Sequence, residues 1–524
     1  MEKIDNKTWL LILGALFLIL LPGINHGIWR PDEPYMAGIC SEMARTGDFT
    51  VPKLNGIPFL EKPPLYYWVA AAFGMVFGLA DDVPFRLAST LFSILTLLTV
   101  FFGIRKRTSD LTATMACLVL STLWQLFDQS RWILVDISLV FGVALSMIAW
   151  FRITHEGKWT DSMLLGIGAA IAFMAKGFVG PAMIASAIIV DILRNMDFKL
   201  ILKARPHIAF VFFMVPISIW IALLWNSGGW PFVREVIVVN NIMRFTGSPE
   251  GAALGHIHGP FYLFPKVPSE MIPWTLIGIP AFISSFRNFR KDSYLPWFVG
   301  PLILLSMSSA KRGLYLAPLG PAIACMIATW LSSPPKLKWE GLMIKIMWGF
   351  IAAGFLAPFA GIFLGVPVWG IIMGIISLGS VIYIYRYSGL NMSNLALCIS
   401  VCIVMASIMF VYFIYQQPKN DFLPFAKQAI AQTQGHEITL LADDEVFEGV
   451  MPMITGKYFK NVPKPDNITN EGYYIWADSR KDDTLRKIRK LYSVDVVLDK
   501  RIGRKNARLA YIIPGTPSEV KKLK

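Results

Sequence analysis

The chain has 524 residues, 55% of them hydrophobic and only 16% charged, which excludes an ordinary soluble domain of this size. Its formal charge of +14 does not indicate nucleic acid, because Lys and Arg gather in short clusters between apolar runs, as the positive-inside rule requires, and membrane lipids are the expected counter-charge. The five cysteines, Cys40, Cys117, Cys325, Cys398 and Cys402, show no metal-ligand spacing and none lies in the polar C-terminal stretch, so neither redox chemistry nor a disulfide in the tail is expected.

Apolar runs of roughly 17–25 residues recur along most of the chain, the length that crosses a bilayer as a helix. The fold class expected is therefore mainly α: a polytopic membrane protein with about 13 transmembrane helices and a small C-terminal α/β extracytoplasmic domain. The run from Trp9 to Ile24 reads as a retained first helix, since no small-residue cleavage site follows it. With the N-terminus inside, it delivers a first outer loop, 26–82. Within that loop the apolar stretch 64–79 is too short to span and is expected to lie along the outer interface; if it crossed, Arg105, Lys106 and Arg107 would fall outside. Spans follow near 83–104, 111–127, 137–153, 161–175, 179–193 and 207–225. A second outer loop, 226–266, precedes spans near 269–286, 295–308, 314–331, 341–363, 367–385 and 394–415. This count places residues 1–415 in a membrane domain and 416–524 in a soluble extracytoplasmic α/β domain. Its candidate strands are 437–442, 472–476, 494–498 and 509–513, with a helix near 483–491.

Chemistry-bearing residues cluster at the outer helix ends. The first loop holds Trp29-Arg30-Pro31-Asp32-Glu33-Pro34-Tyr35 and, later, Phe59-Leu60-Glu61-Lys62-Pro63-Pro64-Leu65-Tyr66-Tyr67-Trp68. Prolines stiffen this loop and aromatics suit it to the interface, a setting for a preorganised site. Asp136 stands at the outer mouth of two spans, where an acidic group is expensive and is usually paired or functional; its bland reading is a salt bridge with Arg131. Lys62, Lys176, Arg244, Lys311 and Arg312 put fixed positive charge on the same face, which suits a phosphate whose lipid tail stays in the bilayer. Each alone could instead reach lipid headgroups. His256 and His258, one residue apart, leave two readings open: a divalent metal shared with first-loop carboxylates, or a substrate hydrogen bond, which is favoured because no helical His-x-x-x-His spacing accompanies them.

Asp32-Glu33-Pro34, Ser41-Glu42-Met43-Ala44-Arg45-Thr46-Gly47-Asp48-Phe49, Pro52-Lys53-Leu54-Asn55-Gly56 and the Phe59–Trp68 run together resemble the first-loop signature of bacterial aminoarabinose transferases and the wider protein mannosyltransferase-like group of GT-C glycosyltransferases. The resemblance extends to Asp136, to Arg244-Phe245 before a His-rich Gly-Pro-Phe-Tyr turn, and to Lys311 through Tyr315. It implies transfer of a sugar, with inversion, from a polyprenyl-phosphate carrier to a lipid, glycan or protein acceptor on the extracytoplasmic face of a bacterial inner membrane. Asp32 would be the catalytic carboxylate, with Glu33 beside it. Lys62, Arg244, Lys311, Arg312 and Tyr315 would hold the donor phosphate, and Glu61, Asp136, Arg131, His256 and His258 would line the site. Where the family commonly shows Arg-Tyr-Ala-Glu after the acidic pair, this chain has Tyr35-Met36-Ala37-Gly38, which implies a divergent substrate. A transporter or flippase of lipid-linked saccharide is the alternative from another class.

Overall fold

The computed structural model describes residues 6–21, 23–29, 31–79, 81–246, 258–333, 338–354, 393–441, 445–479 and 484–514, with isolated positions between 356 and 382. Among these, five helices are long and apolar enough to cross a membrane: Val83–Ile104, Asp136–His155, Pro206–Thr246, Gly313–Leu331 and Asn394–Gln432. Shorter apolar helices, among them Asp110–Thr122, Thr275–Arg287 and Leu295–Met307, pack between them. The chain is a polytopic membrane protein. Phe210, Val211, Val215, Ile219 and Leu223 face outward on the Pro206–Arg234 helix, a surface that only hydrocarbon would leave unpenalised.

Buried hydroxyls of the Val83–Ile104 helix are satisfied locally. The Ser93 hydroxyl donates to the Ser89 carbonyl and the Thr96 hydroxyl to the Phe92 carbonyl, each at 2.8 Å. Small residues let helices touch: a Cβ on Gly142 would lie 2.6 Å from the Ala172 backbone nitrogen, so the Asp136–His155 and Trp159–Lys176 helices meet backbone to backbone.

The expected span near 83–104 is the Val83–Ile104 helix. The apolar stretch 64–79 is the helix Leu65–Phe77, whose 13 residues reach only about 20 Å at 1.5 Å per residue, short of a bilayer. The expected second outer loop, 226–266, differs. The helix Pro206–Arg234 runs on through a π-helix, Glu235–Met243, to Thr246. At Gly229, with φ 63° and ψ −157°, the backbone leaves helical geometry, so two helices meet at a kink there, beside Gly228 and Pro231, and the second replaces the expected loop. Residues 247–257, including His256, lie outside the described residues, as does most of the expected span 367–385.

Before the Val83–Ile104 helix the chain builds a compact platform. The Glu33–Thr46 helix is buried from Glu33 to Ala44. A short hairpin follows, Lys53–Leu54 against Ile57–Pro58, turning at Asn55-Gly56 with φ of 52° and 81°, the double positive φ that such a turn needs.

After the Ser393–Asn420 helix the chain forms a five-stranded mixed sheet. Its order is Asn461–Val462, Ile438–Leu441, Gly472–Ser479, Lys505–Ile513, Ser493–Ile502; the first two pairings are parallel and the last two antiparallel. Alternation separates its faces. Ile475, Ala477, Ala507 and Leu509 join the large core shared with the membrane helices, whereas Tyr474, Trp476, Ala510 and Ile512 pack under the Thr484–Leu491 helix. The helix Glu445–Thr455 lies directly on Glu33–Thr46: a Cβ on Gly449 would come 1.9 Å from the Pro34 carbonyl oxygen, and one on Gly38 2.6 Å from the Gly449 Cα.

Candidate active site

Asp32 precedes the Glu33–Thr46 helix, and Pro34 within its first turn suits a helix start. Successive residues at a helix start point about 100° apart, and the acidic pair divides accordingly. Asp32 faces a cavity of about 720 Å³, where its carboxylate accepts from Arg312 at 3.1 Å.

Glu33 turns the other way, into a fully buried knot. Its carboxylate accepts from the Arg86 Nε at 3.0 Å and the Ile133 backbone nitrogen at 3.2 Å, and meets the His26 Nε2 at 3.3 Å. Arg86 also donates to Asp82, to the Gly27 carbonyl and, at 3.0 Å, to the Ile24 carbonyl. Burial alone would raise the Glu33 carboxyl, but Arg86 and His26 outweigh it and hold the group well below the usual carboxylate range. Glu33 therefore orients the loop and does not line the cavity, a correction to its expected place beside Asp32 in the chemistry.

Around the cavity, acids and bases from distant segments alternate. Glu61 accepts from Arg244 at 2.8 Å, and its neighbour Lys62 lies 3.7 Å from the same oxygen. Lys62 Nζ donates to the Tyr35 hydroxyl at 2.8 Å. Asp136 pairs with Lys176, whose ammonium sits 4.0 Å from the Tyr315 ring centre. Burial works against the charged form of Glu61, yet Lys62, Arg244 and Lys176 bring its carboxyl down to about 2. Burial lowers Lys62 likewise, and Glu61 with the other carboxylates outweighs it, so its ammonium titrates above the ordinary range. Tyr35 is raised by burial first and then by Asp32, Glu61 and Glu445, so its phenol stays protonated and available to Lys62. The remaining wall is apolar, with Leu139, Val179, Met183, Ile242 and Leu304 among its residues. Such a chamber can grip an anion and bury a hydrocarbon tail at once.

The arrangement matches a solved fold. A crystal structure of ArnT from Cupriavidus metallidurans bound to undecaprenyl phosphate superposes with a TM-score of 0.79 at 18% identity, covering 96% of this chain and 98% of that one. The family model described as dolichyl-phosphate-mannose-protein mannosyltransferase matches residues 61–222. Undecaprenyl phosphate-alpha-4-amino-4-deoxy-L-arabinose arabinosyl transferases are similar in sequence: that of Serratia proteamaculans is 25% identical over 63% of this chain and 60% of its own length, and one from Pseudomonas fluorescens 28% identical over 60% and 58%. The chain has the GT-C fold and is similar, over part of its length, to the aminoarabinose transferases and to the protein mannosyltransferase family model. Its matches span under two thirds of the length of these two arabinosyl transferases.

The GT-C cavity thus gathers eight residues read from the sequence: Asp32, Glu61, Lys62, Asp136, Lys176, Arg244, Arg312 and Tyr315. Lys311 and His258 stand behind its wall. Lys311 Nζ donates to the His258 carbonyl at 2.9 Å, and the His258 ring stacks on Tyr262 with centroids 3.8 Å apart. Arg131 is not a lining residue and not the partner of Asp136; its guanidinium lies 4.2 Å from the Phe127 ring centre and donates to Ser130 at 3.2 Å. No group of three or more His, Cys, Asp or Glu residues able to hold a metal occurs among the described residues, and His256 lies outside them. Other polar side chains on the lining, among them Tyr35, Asn240, Asn241, Thr246 and Glu445, had no role assigned from the sequence. Tyr35 stood inside a quoted motif, and its polar tip on an aromatic body was the available signal. Glu445 belongs to the C-terminal part, where nothing local marks it.

Proposed function

We propose that this GT-C protein transfers a glycosyl group from a polyprenyl-phosphate carrier to an acceptor hydroxyl or phosphate on an envelope lipid, glycan or protein, inverting the anomeric centre. The observation that carries the reading is the single cavity in which Asp32, Glu61 and Asp136 alternate with Lys62, Lys176, Arg244 and Arg312 beside an apolar wall. The names of its relatives, which specify an undecaprenyl phosphate-linked donor, support it.

In this reading Lys62, Arg244 and Arg312 hold the donor phosphate, with Tyr315 and Lys176 at its flank. The bond between the anomeric carbon and the phosphate oxygen breaks as the bond to the acceptor oxygen forms. Asp32 takes the acceptor proton when the acceptor is a hydroxyl, and the cations balance the charge left on the departing polyprenyl phosphate. Glu61 and Asp136 keep those cations aimed. Lys311 and His258 act through the wall they brace, and Arg131 through the backbone it holds.

Residues 1–415 form the catalytic membrane domain, with about thirteen spans, in a bacterial inner membrane. Residues 416–524 form an extracytoplasmic α/β domain on the same side as the cavity. The transporter alternative asks for polar residues along a path at mid-bilayer; here they converge on one chamber.

The deciding experiment is Asp32→Asn in detergent with a synthetic polyprenyl-phosphate sugar donor. Loss of a general base predicts a fall in kcat of about 10²–10⁴-fold with donor binding retained. Near-normal turnover by this variant would remove Asp32 from the mechanism.

A further inference from the structure

A second charged surface lies where the C-terminal sheet meets the last described membrane helix, and none of it takes part in the cavity. The Ser393–Asn420 helix is strongly apolar until Tyr412 and Tyr415, then becomes polar through Gln416, Gln417, Pro418 and Lys419. Tyrosines followed by a lysine mark the level at which a helix leaves hydrocarbon for the headgroups. Lys419 Nζ sits 3.3 Å from the Tyr415 ring centre, at that boundary.

The turn joining the edge strand Ser493–Ile502 to its antiparallel neighbour Lys505–Ile513 docks on this helix end. The Gly503 backbone nitrogen donates to the Lys419 carbonyl at 2.8 Å, and a Cβ on Gly503, at φ 57°, would come 2.7 Å from Asn420 Oδ1. The turn is therefore fixed at headgroup depth. It carries Lys500, Arg501 and Arg504, all exposed, and Lys419 beside them is exposed too. Lys500 shares a strand face with Ile502, which is buried in the core that includes the membrane helices, and Arg501 extends from the other face of the same strand end. The residues paired across from Lys500 and Arg501 are Ala507 and Asn506, which offer no opposite charge. The nearby acid, Asp499, is already tied to Arg508 at 3.1 Å.

We propose that Lys419, Lys500, Arg501 and Arg504 form a docking surface for the phosphates of anionic phospholipid headgroups, which seats the C-terminal sheet on the bilayer. A cation close to an anionic leaflet contributes roughly a fivefold preference, and four held on one turn and one helix end act together. The inference depends on the helix crossing the membrane and not on the transfer reaction, so it stands or falls apart from the proposed activity.

The test uses the full chain in nanodiscs of phosphatidylcholine alone and of phosphatidylcholine mixed with phosphatidylglycerol, with hydrogen exchange read at residues 499–506. Exchange there is expected to slow severalfold in the anionic discs, and the K500Q/R501Q/R504Q variant to abolish that difference. These side chains are exposed, so the variant should fold; an unchanged melting temperature in phosphatidylcholine checks this. A control variant, R486Q/K487Q, on the opposite face of the sheet, should keep the full difference. Equal exchange of the wild-type turn in both lipids overturns the proposal. So does a lipid effect that survives the triple substitution or vanishes in the control.

Discussion

Arg312 reaches Asp32 across 3.1 Å although 280 positions separate them in sequence. The residue proposed to receive a proton is thus held by a residue proposed to hold a phosphate. Under that proposal a donor phosphate entering the cavity would compete with Asp32 for Arg312. Substituting Arg312→Gln removes one charge-assisted hydrogen bond to phosphate, worth about 1.5–3 kcal/mol. The expected result is a roughly 10–100-fold weaker affinity for polyprenyl phosphate, measured by titration in detergent. An unchanged affinity would take Arg312 out of the phosphate site.

Glu61 supplies a pH signature. Its carboxyl is lowered from 4.5 to about 2, so its contribution to stability is fully present above about pH 4.5 and is lost as pH falls toward 2. The difference in melting temperature between wild type and Glu61→Gln should therefore be flat from pH 7 to about 5 and shrink in more acidic buffer. A difference that grows on acidification would contradict the sign of the shift.

The knot behind the site makes a stability prediction. Arg86 and Glu33 are both fully buried, and removing one partner of such a pair strands the other charge. Arg86→Met or Glu33→Gln should each cost about 3–5 kcal/mol, read as reduced thermal stability in detergent. Wild-type melting of both variants would show that the knot does not hold the loop.

Much of this architecture is legible in the sequence because hydrocarbon imposes a strict length on apolar runs. Val83–Ile104 is such a run, and the helix occupies it. The strand Gly472–Ser479 was readable as a short apolar run, and both of its faces are buried. What stayed hidden was direction and distance. Asp32 and Glu33 are adjacent carboxylates, and only the turn of the helix decides which one meets the cavity. Asp136 had Arg131 five residues away, yet it pairs with Lys176, brought alongside by the hairpin of two helices packed through Gly142 and Gly168. The segment after Asn226 carries Gly and Pro, and helical geometry does break at Gly229, yet a second helix follows at once and runs to Thr246 where a loop was expected.

Lys62 separates donor binding from acceptor binding. Its ammonium donates to Tyr35 and lies near Glu61, so it is aimed from two sides. Lys62→Ala should weaken polyprenyl-phosphate binding by about 10–100-fold, the worth of one charged hydrogen bond, and change acceptor affinity much less. Equal losses for donor and acceptor would argue against a phosphate role.

The C-terminal part meets the Asp32 platform through close backbone packing. Gly449 lies against Pro34 and Tyr35 so closely that a Cβ would fall 1.9 Å from the Pro34 carbonyl oxygen, and backbone cannot move aside as a flexible side chain can. The same helix starts at Glu445, on the cavity lining, and Pro34 and Tyr35 directly follow the acidic pair. Gly449→Ala should therefore push the Glu445–Thr455 helix off the Glu33–Thr46 helix at a cost of about 1–3 kcal/mol. Misplacement of about 1 Å at a preorganised site can cost a hundredfold in rate, so kcat should fall far more than the melting temperature does. Gly456→Ala is the control: it is on the same segment at φ 73°, and its nearest neighbour is the Arg45 side chain at 3.1 Å rather than backbone. It should strain its own turn and leave kcat near wild type. If Gly449→Ala turns over normally, the contact between the C-terminal part and the Asp32 platform has no bearing on the chemistry.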